Sequence, residues 1–230
     1  MYTLIKRIFD FTMSLLALIV LSPLFIPIII GLLLTGEHYV FYFQERIGKG
    51  GKVFNVWKFA TMLKNSPNLG TGTITTRNDP RVLPMGGFLR KTKINELPQL
   101  INILIGNMSI IGPRPLVKKG YDLYNDEVKA CISKMKPGLS GIGSVIFRDE
   151  EYYVSLAKDP VEFSRLHIQP HKGDLEVWYY NNRSLWVDFM IIFLTVWVIL
   201  FPKSDLVYKT FPTLPRIDLD KAAEGFNEAR

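Results

Sequence analysis

Residues 90–115 read RKTKINELPQLINILIGNMSIIGPRP. Arg90, Lys91 and Lys93 supply cations and Glu96 supplies a carboxylate, while Pro113 and Pro115 set Arg114 between two residues of fixed φ. Guanidinium and ammonium groups make charge-assisted hydrogen bonds to phosphate oxygens, and a stiff backbone lowers the entropy lost when Arg114 grips one. A carboxylate beside phosphates is the usual way to hold Mg²⁺, which rarely receives an all-protein cage. The spacing of Leu97, Leu100, Ile101 and Leu104 predicts a helix over residues 96–105. Asn95 is a favoured N-cap, Pro98 is tolerated in a first turn, and Gly106 is a terminator. The start of that helix, with unpaired N–H groups and partial positive charge, is the expected phosphate seat. Singly, each part has an ordinary explanation as a cap, a dipole-compensating acid, a rigid loop or a solvated basic patch. Clustered in one stretch, they point to a membrane-bound site that handles phosphate.

The elements that must position these residues are legible in outline. Residues 39–62 alternate aromatic and β-branched side chains on either side of Gly48-Lys49-Gly50-Gly51, which predicts a β-hairpin. Residues 63–72 read as a loop, Asn78-Asp79-Pro80 as a turn, residues 123–135 as a helix, and the glycine-rich 136–143 as turns alone. Residues 184–201 carry one charge, Asp188. They suit a second membrane span, or a helix lying in the interface with Trp186, Trp197, Arg183 and Lys203 at its rim; the interface is preferred.

The uncharged run 11–34 exceeds the ~20 residues that a membrane-spanning helix needs. Pro23 and Pro27 interrupt it, freeing the carbonyls of Ile19 and Pro23, one of which Ser22 is placed to satisfy. Lys6 and Arg7 precede the run, and Arg46, Lys49, Lys52 and Lys58 follow it, although positive charge prefers the cytoplasmic side. A helix that enters the bilayer, bends at Ser22-Pro23 and returns accounts for both flanks; a straight anchor is the alternative. The expected organisation is therefore a re-entrant hairpin (1–36), a cytoplasmic-face catalytic domain with interfacial helices (37–202) and a polar tail (203–230). The class is α+β.

The 230 residues are 48% hydrophobic with a net charge of +7. That balance favours anionic partners, phosphorylated small molecules and anionic lipid among them. Nucleic acid is excluded as the expected partner, because no reading motif accompanies the charge. The single Cys131 allows no internal disulfide and fits a reducing compartment. The histidines, His38, His167 and His171, read as ordinary surface or core residues. Self-association is left open.

Several stretches in order resemble one family. KRIFDFTMSLLALIVLSP (6–23), FYFQERIGKGGKVFNVWKF (41–59), NDPRVLPMGGFLRKTKINELPQLINILIGNMSIIGPRPL (78–116), KPGLSG and YYNNRSLWVDFMIIFLT are similar to blocks of the bacterial sugar transferases, the monotopic phosphoglycosyl transferases. The resemblance implies transfer of a phosphosugar from a UDP-sugar to undecaprenyl phosphate with release of UMP, Mg²⁺ as cofactor, and the cytoplasmic face of the bacterial inner membrane. It also implies substrate contacts at Lys58, Asp79, Arg81, Arg90, Lys91, Pro113 and Arg114, with Arg148 a candidate for the nucleotide and loops 66–77 and 147–153 for the sugar.

In the family a covalent intermediate forms on the aspartate of Asp-Glu-Leu-Pro. Here the matching residues are Asn95 and Glu96. A neutral amide is a poor nucleophile, so the essential carboxylate chemistry is expected of Glu96, as nucleophile or as metal ligand and base. Ala60 and Asn107 also depart from the family's Arg and Asp, which favours a naturally divergent enzyme over a silenced one. A non-catalytic scaffold that binds nucleotide sugar or polyprenyl phosphate is the alternative.

Overall fold

α1 (Tyr2–Leu34) runs unbroken for 33 residues through both Pro23 and Pro27. At ~1.5 Å per residue it is roughly 50 Å long if straight. Ser22 Oγ donates to the Ile19 carbonyl at 2.8 Å, which satisfies an acceptor that Pro23 leaves without its N–H partner. The helix is long and apolar enough to cross a membrane, and little of it is buried within the protein. This computed structural model describes residues 1–69, 79–202 and 204–228, and they divide into two compact units.

The smaller unit comprises Arg7–Glu45 and Phe54–Gly106. Its core is the far half of α1, where Ile28 and Leu32 pack with Phe59 and Leu89, and with Phe25, Phe41, Met85 and Ile94 around them. The expected hairpin is present as β1 (Phe41–Ile47) and β2 (Val53–Phe59), joined by a 3₁₀ turn in which Gly50 and Gly51 take the left-handed φ that the glycines permit. α2 (Gly86–Lys91) starts where the backbone touches Thr61: a Cβ on Gly86 would lie 2.1 Å from the Thr61 carbonyl oxygen, so no larger residue fits. A 3₁₀ turn, Ile94–Glu96, and then α3 (Gln99–Ile105) complete the unit.

The larger unit comprises Met1–Lys6, Arg46–Val53 and Asn107–Arg230. β3 (Ser109–Ile111) pairs in parallel with β4 (Gly138–Ser140). Around this short sheet lie α4 (Lys118–Asp122), α5 (Asp126–Ser133), α6 (Ile142–Ile146), α7 (Glu150–Leu156), α8 (Pro160–Phe163), a π turn (Ser164–Ile168), α9 (Gln169–Asn182) and α10 (Leu185–Leu200). Asn125 caps α5 by accepting from Val128 N–H at 2.9 Å, and Ser184 caps α10. The hairpin tip packs on α5.

Glycine-rich 136–143 is not merely turns. Gly112, Gly138 and Gly141 sit where backbones nearly touch, and a Cβ on Gly138 would meet Gly112 N at 2.2 Å. These glycines permit strand pairing rather than chain reversal. Asp188, the charge inside the apolar α10, accepts from Tyr2 Oη (2.8 Å), Lys6 Nζ (2.7 Å) and Tyr179 Oη (2.6 Å). It is thereby satisfied although buried.

The tail 203–230 contributes α11 (Leu206–Thr210) and α12 (Leu219–Glu228). Its polar composition conceals scattered apolar side chains: Val207, Phe211, Leu214, Leu219 and Phe226 are buried in the larger core. Phe211 packs on Trp178, and Phe226 on Phe163 and His167.

Candidate active site

The turn that carries Asn95 and Glu96 differs from expectation. Lys93, in the left-handed region at φ 60°, redirects the chain after α2. A non-glycine residue there costs on the order of 1 kcal/mol, so this turn holds some backbone strain. Glu96 N–H bonds to the Lys93 carbonyl and Leu97 N–H to that of Ile94, each at 3.0 Å, closing a 3₁₀ turn. Leu100 and Ile101 N–H likewise bond to Leu97 and Pro98. Asn95 therefore caps no helix, and α3 starts only after Pro98. The N–H groups of Glu96, Leu97, Leu100 and Ile101, which the expected phosphate seat would have offered, are already bonded within the chain.

Asn95 is 7% exposed, and its side-chain oxygen has no hydrogen-bond partner among the described residues. Glu96 beside it is half-buried. The orphaned amide oxygen and the carboxylate one residue on are both oxygen donors of the kind that a hard cation takes. No cluster of three His, Cys, Asp or Glu suited to a metal occurs among the described residues.

Two devices hold this turn that the sequence did not single out. Asn102 is wholly buried on α3; its side-chain oxygen accepts from Trp57 N–H at 2.9 Å and its amide donates to the Asn55 carbonyl at 2.8 Å. It thus acts as one more strand residue for β2, docking α3 to the hairpin. At the other end of α3 the carbonyls of Ile103 and Leu104 accept from Arg7 Nη1 and Nη2, both at 2.7 Å. A cation at a helix C-terminus satisfies orphan carbonyls and the dipole together. Gly106 then closes the helix at φ 94°.

The other candidates in this unit separate by environment. Lys91 is exposed at the end of α2, and Lys58 on β2 is half-buried. Arg90 lies in α2 with Nη1 3.5 Å from Met62 Sδ. Asp79 and Arg81 do not fit the expectation of substrate contacts. They are buried against each other, Nε–Oδ1 2.8 Å and Nη2–Oδ2 2.5 Å, and Arg81 Nη1 donates to the carbonyls of Ser66 and Leu69. That guanidinium is committed to protein acceptors and pins the 66–69 turn. Loop 66–77 lies mostly outside the described residues, as does Asn78.

In the larger unit Pro113 is buried, while Arg114 and Arg148 are exposed. The Gly-Pro-Arg-Pro loop follows β3 directly, and its main chain is bonded to β4, to the hairpin end and to α9. On α9, burial pushes the Glu176 carboxyl up to about 7 despite the Arg114 N–H and the Lys172 charge pulling it down. Burial also lowers the pKa of His171, one turn away.

The comparisons with known proteins accord with these elements. The family model for bacterial sugar transferases matches residues 1–202. The chain belongs to the bacterial sugar transferase family. The family match ends at residue 202, before the tail. Similar proteins include the UDP-glucose:undecaprenyl-phosphate glucose-1-phosphate transferase of Escherichia coli K12, 37% identical over 84% of this chain and 39% of that protein. The undecaprenyl-phosphate galactose phosphotransferase of Salmonella typhimurium is 33% identical over 85% of this chain and 40% of its own length. The exopolysaccharide production protein ExoY of Sinorhizobium fredii is 35% identical, with 83% of each chain covered. The chain thus spans about two fifths of the first two relatives and most of the third.

Proposed function

We propose that this chain transfers a phosphosugar from a UDP-sugar to undecaprenyl phosphate, releasing UMP, at the cytoplasmic face of a bacterial inner membrane, as the first membrane step of a surface glycan. The observation that carries this reading is identity of 33–37% across more than four fifths of the chain to transferases named for that lipid acceptor. Glu96, the sole acid between Arg81 and Asp122, supports it from within the signature.

In the reaction an oxygen of the lipid phosphate, already anionic, attacks the β-phosphorus of the donor. The bond from that phosphorus to the bridging oxygen breaks, and UMP leaves with the electron pair. Arg90 and Lys91 in the smaller unit, and Arg114 in the larger, are each candidates for the phosphate oxygens, and orientation with charge neutralisation supplies most of the barrier reduction. Glu96, with the Asn95 amide oxygen beside it, would hold Mg²⁺, which when bound neutralises charge on the diphosphate. If the transfer proceeds in two steps, Glu96 is the nucleophile that carries the phosphosugar before the lipid accepts it. Residues 147–153 are not the expected loop throughout, since α7 begins at Glu150; with Arg148 exposed among them, they are the candidates for the sugar and nucleotide ends.

α1 lies in the bilayer as a re-entrant element bent near Ser22-Pro23, supported by basic residues on both sides of its apolar run. α10, 16 residues or roughly 24 Å, is short for a ~30 Å hydrocarbon core. It lies in the interface, with Trp186, Phe189, Phe193, Val196 and Leu200 exposed along one side. In a Cys131→Ser background, cysteines at Thr3 and Glu37 should both react with an impermeant thiol reagent in inside-out vesicles and neither in right-side-out ones. Opposite sidedness of the two would establish a straight span.

UMP release, measured across a panel of UDP-sugars with and without undecaprenyl phosphate, tests the activity. Release is expected from one or a few sugars and only with the lipid. UDP binding without release from any sugar would make the chain a binder.

A further inference from the structure

The main chain of the Gly-Pro-Arg-Pro loop is held at successive residues. Gly112 N–H donates to the Ser140 carbonyl at 3.0 Å, and the Pro113 carbonyl accepts from Gly138 N–H at 2.8 Å. The Pro115 carbonyl accepts from Arg46 Nη1 at 3.0 Å, and the Leu116 carbonyl from Ile47 N–H at 2.8 Å. Between them, Arg114 N–H donates to the side chain of Glu176 on α9.

That acceptor is an expensive choice. Glu176 is 6% exposed, and its Oε2 has no partner among the described residues. A Cβ on Gly143 would lie 3.4 Å from its Oε1, so the start of α6 packs directly on the carboxylate. Lys172 stands one turn earlier on α9, but its ammonium is 2.6 Å from Glu150 Oε2 on α7. Tyr124, before α5, is the other titratable group that senses Glu176. An apolar side chain of the same volume would fill this space at lower cost.

The backbone shows what the carboxylate adds. Pro113 and Pro115 fix their own φ, and a residue before proline is restricted in ψ, so Pro113 ψ and Arg114 φ, on either side of one peptide plane, are left for contacts to set. Gly138 N–H holds the carbonyl edge of that plane, and the hydrogen bond from Arg114 N–H to Glu176 holds its other edge. We propose that Glu176 is a positioning residue: by holding the peptide plane at Arg114 it sets the direction in which the exposed guanidinium reaches for the donor's diphosphate. This rests on the reading of Arg114 as a phosphate contact. A carboxyl oxygen accepts from N–H whether or not the group is ionised, so an amide of the same shape can replace it.

The test is the dissociation constant of UDP for the full chain in detergent, by calorimetry. Arg114→Ala should weaken UDP by about tenfold or more, as loss of a charge-assisted pair does. Glu176→Ala should weaken it by about fivefold, and Glu176→Gln by less than about twofold, because Gln keeps the acceptor. In an Arg114→Ala background Glu176→Ala should add nothing further. If Glu176→Ala does not fold, Glu176→Asp, which retracts the acceptor, takes its place with the same expectations. Undiminished UDP binding on loss of Glu176, or an equal loss with and without Arg114, overturns the positioning role while leaving the Arg114 contact standing. UDP binding that Arg114→Ala does not weaken, or none by the parent chain, removes the contact itself and this inference with it.

Discussion

Glu96→Gln should reduce UMP release by about a thousandfold or more, while the protein folds as before. Gln has the size and hydrogen-bonding reach of Glu, so the substitution removes a charge and little else. Half-buried in a 3₁₀ turn, Glu96 is flanked in sequence by neutral Asn95 and Leu97, and no other acid lies between Arg81 and Asp122. No nearby acid in the signature can take over its work as a nucleophile or as a ligand for a cation on the diphosphate. The melting temperature should move by less than about 2 °C, which separates lost chemistry from lost structure. Turnover at the parental rate in Glu96→Gln would show that the reaction does not use this carboxylate.

Asn95→Asp should hold or raise UMP release, by up to about tenfold, and should do so at some cost in stability. The cost follows from the structure rather than from cap preferences, on which Asn and Asp are equivalent. Asn95 caps nothing, is buried, and leaves its oxygen without a hydrogen bond among the described residues. A carboxylate placed there is poorly solvated, which costs on the order of 1–3 kcal/mol unless a cation or substrate meets it. The same poor solvation favours a nucleophile. Intact mass after incubation with a UDP-sugar alone should reveal a phosphosugar adduct in Asn95→Asp. A fall in release to the level of Glu96→Gln would mean that the site has been rebuilt around the amide.

The parts of this architecture governed by local chemistry were legible in the sequence. The hairpin follows from alternating side chains around Gly48–Gly51, the end of α3 from Gly106, and the Ser22 hydroxyl bond from the proline after it. The parts governed by tertiary contact were not. The leucine and isoleucine spacing over 96–105 gave no sign that Lys93 would turn left-handed and close a 3₁₀ turn ahead of Pro98. Nor does an isolated Asn102 or Glu176 disclose that it will be buried against a strand or a loop, since a polar residue on a helix is more often solvated. Asp79 and Arg81 show the converse. Two residues apart in a signature, they suit substrate binding equally well until their bidentate pairing and burial are seen. The tail's buried side chains are spread over some 20 residues, too sparse to stand out from its polar composition.

The most direct test of the transfer itself follows the phosphorus. With a UDP-sugar labelled with ³²P at the β-position, membrane vesicles holding this chain and undecaprenyl phosphate should move the label into the lipid extract as a diphosphate-linked sugar, in amounts equal to the UMP released. Vesicles holding Glu96→Gln should leave it in the aqueous phase. Label that stays aqueous with the parent chain for every sugar, or that leaves the donor at equal rate without the lipid, would contradict transfer to a polyprenyl phosphate.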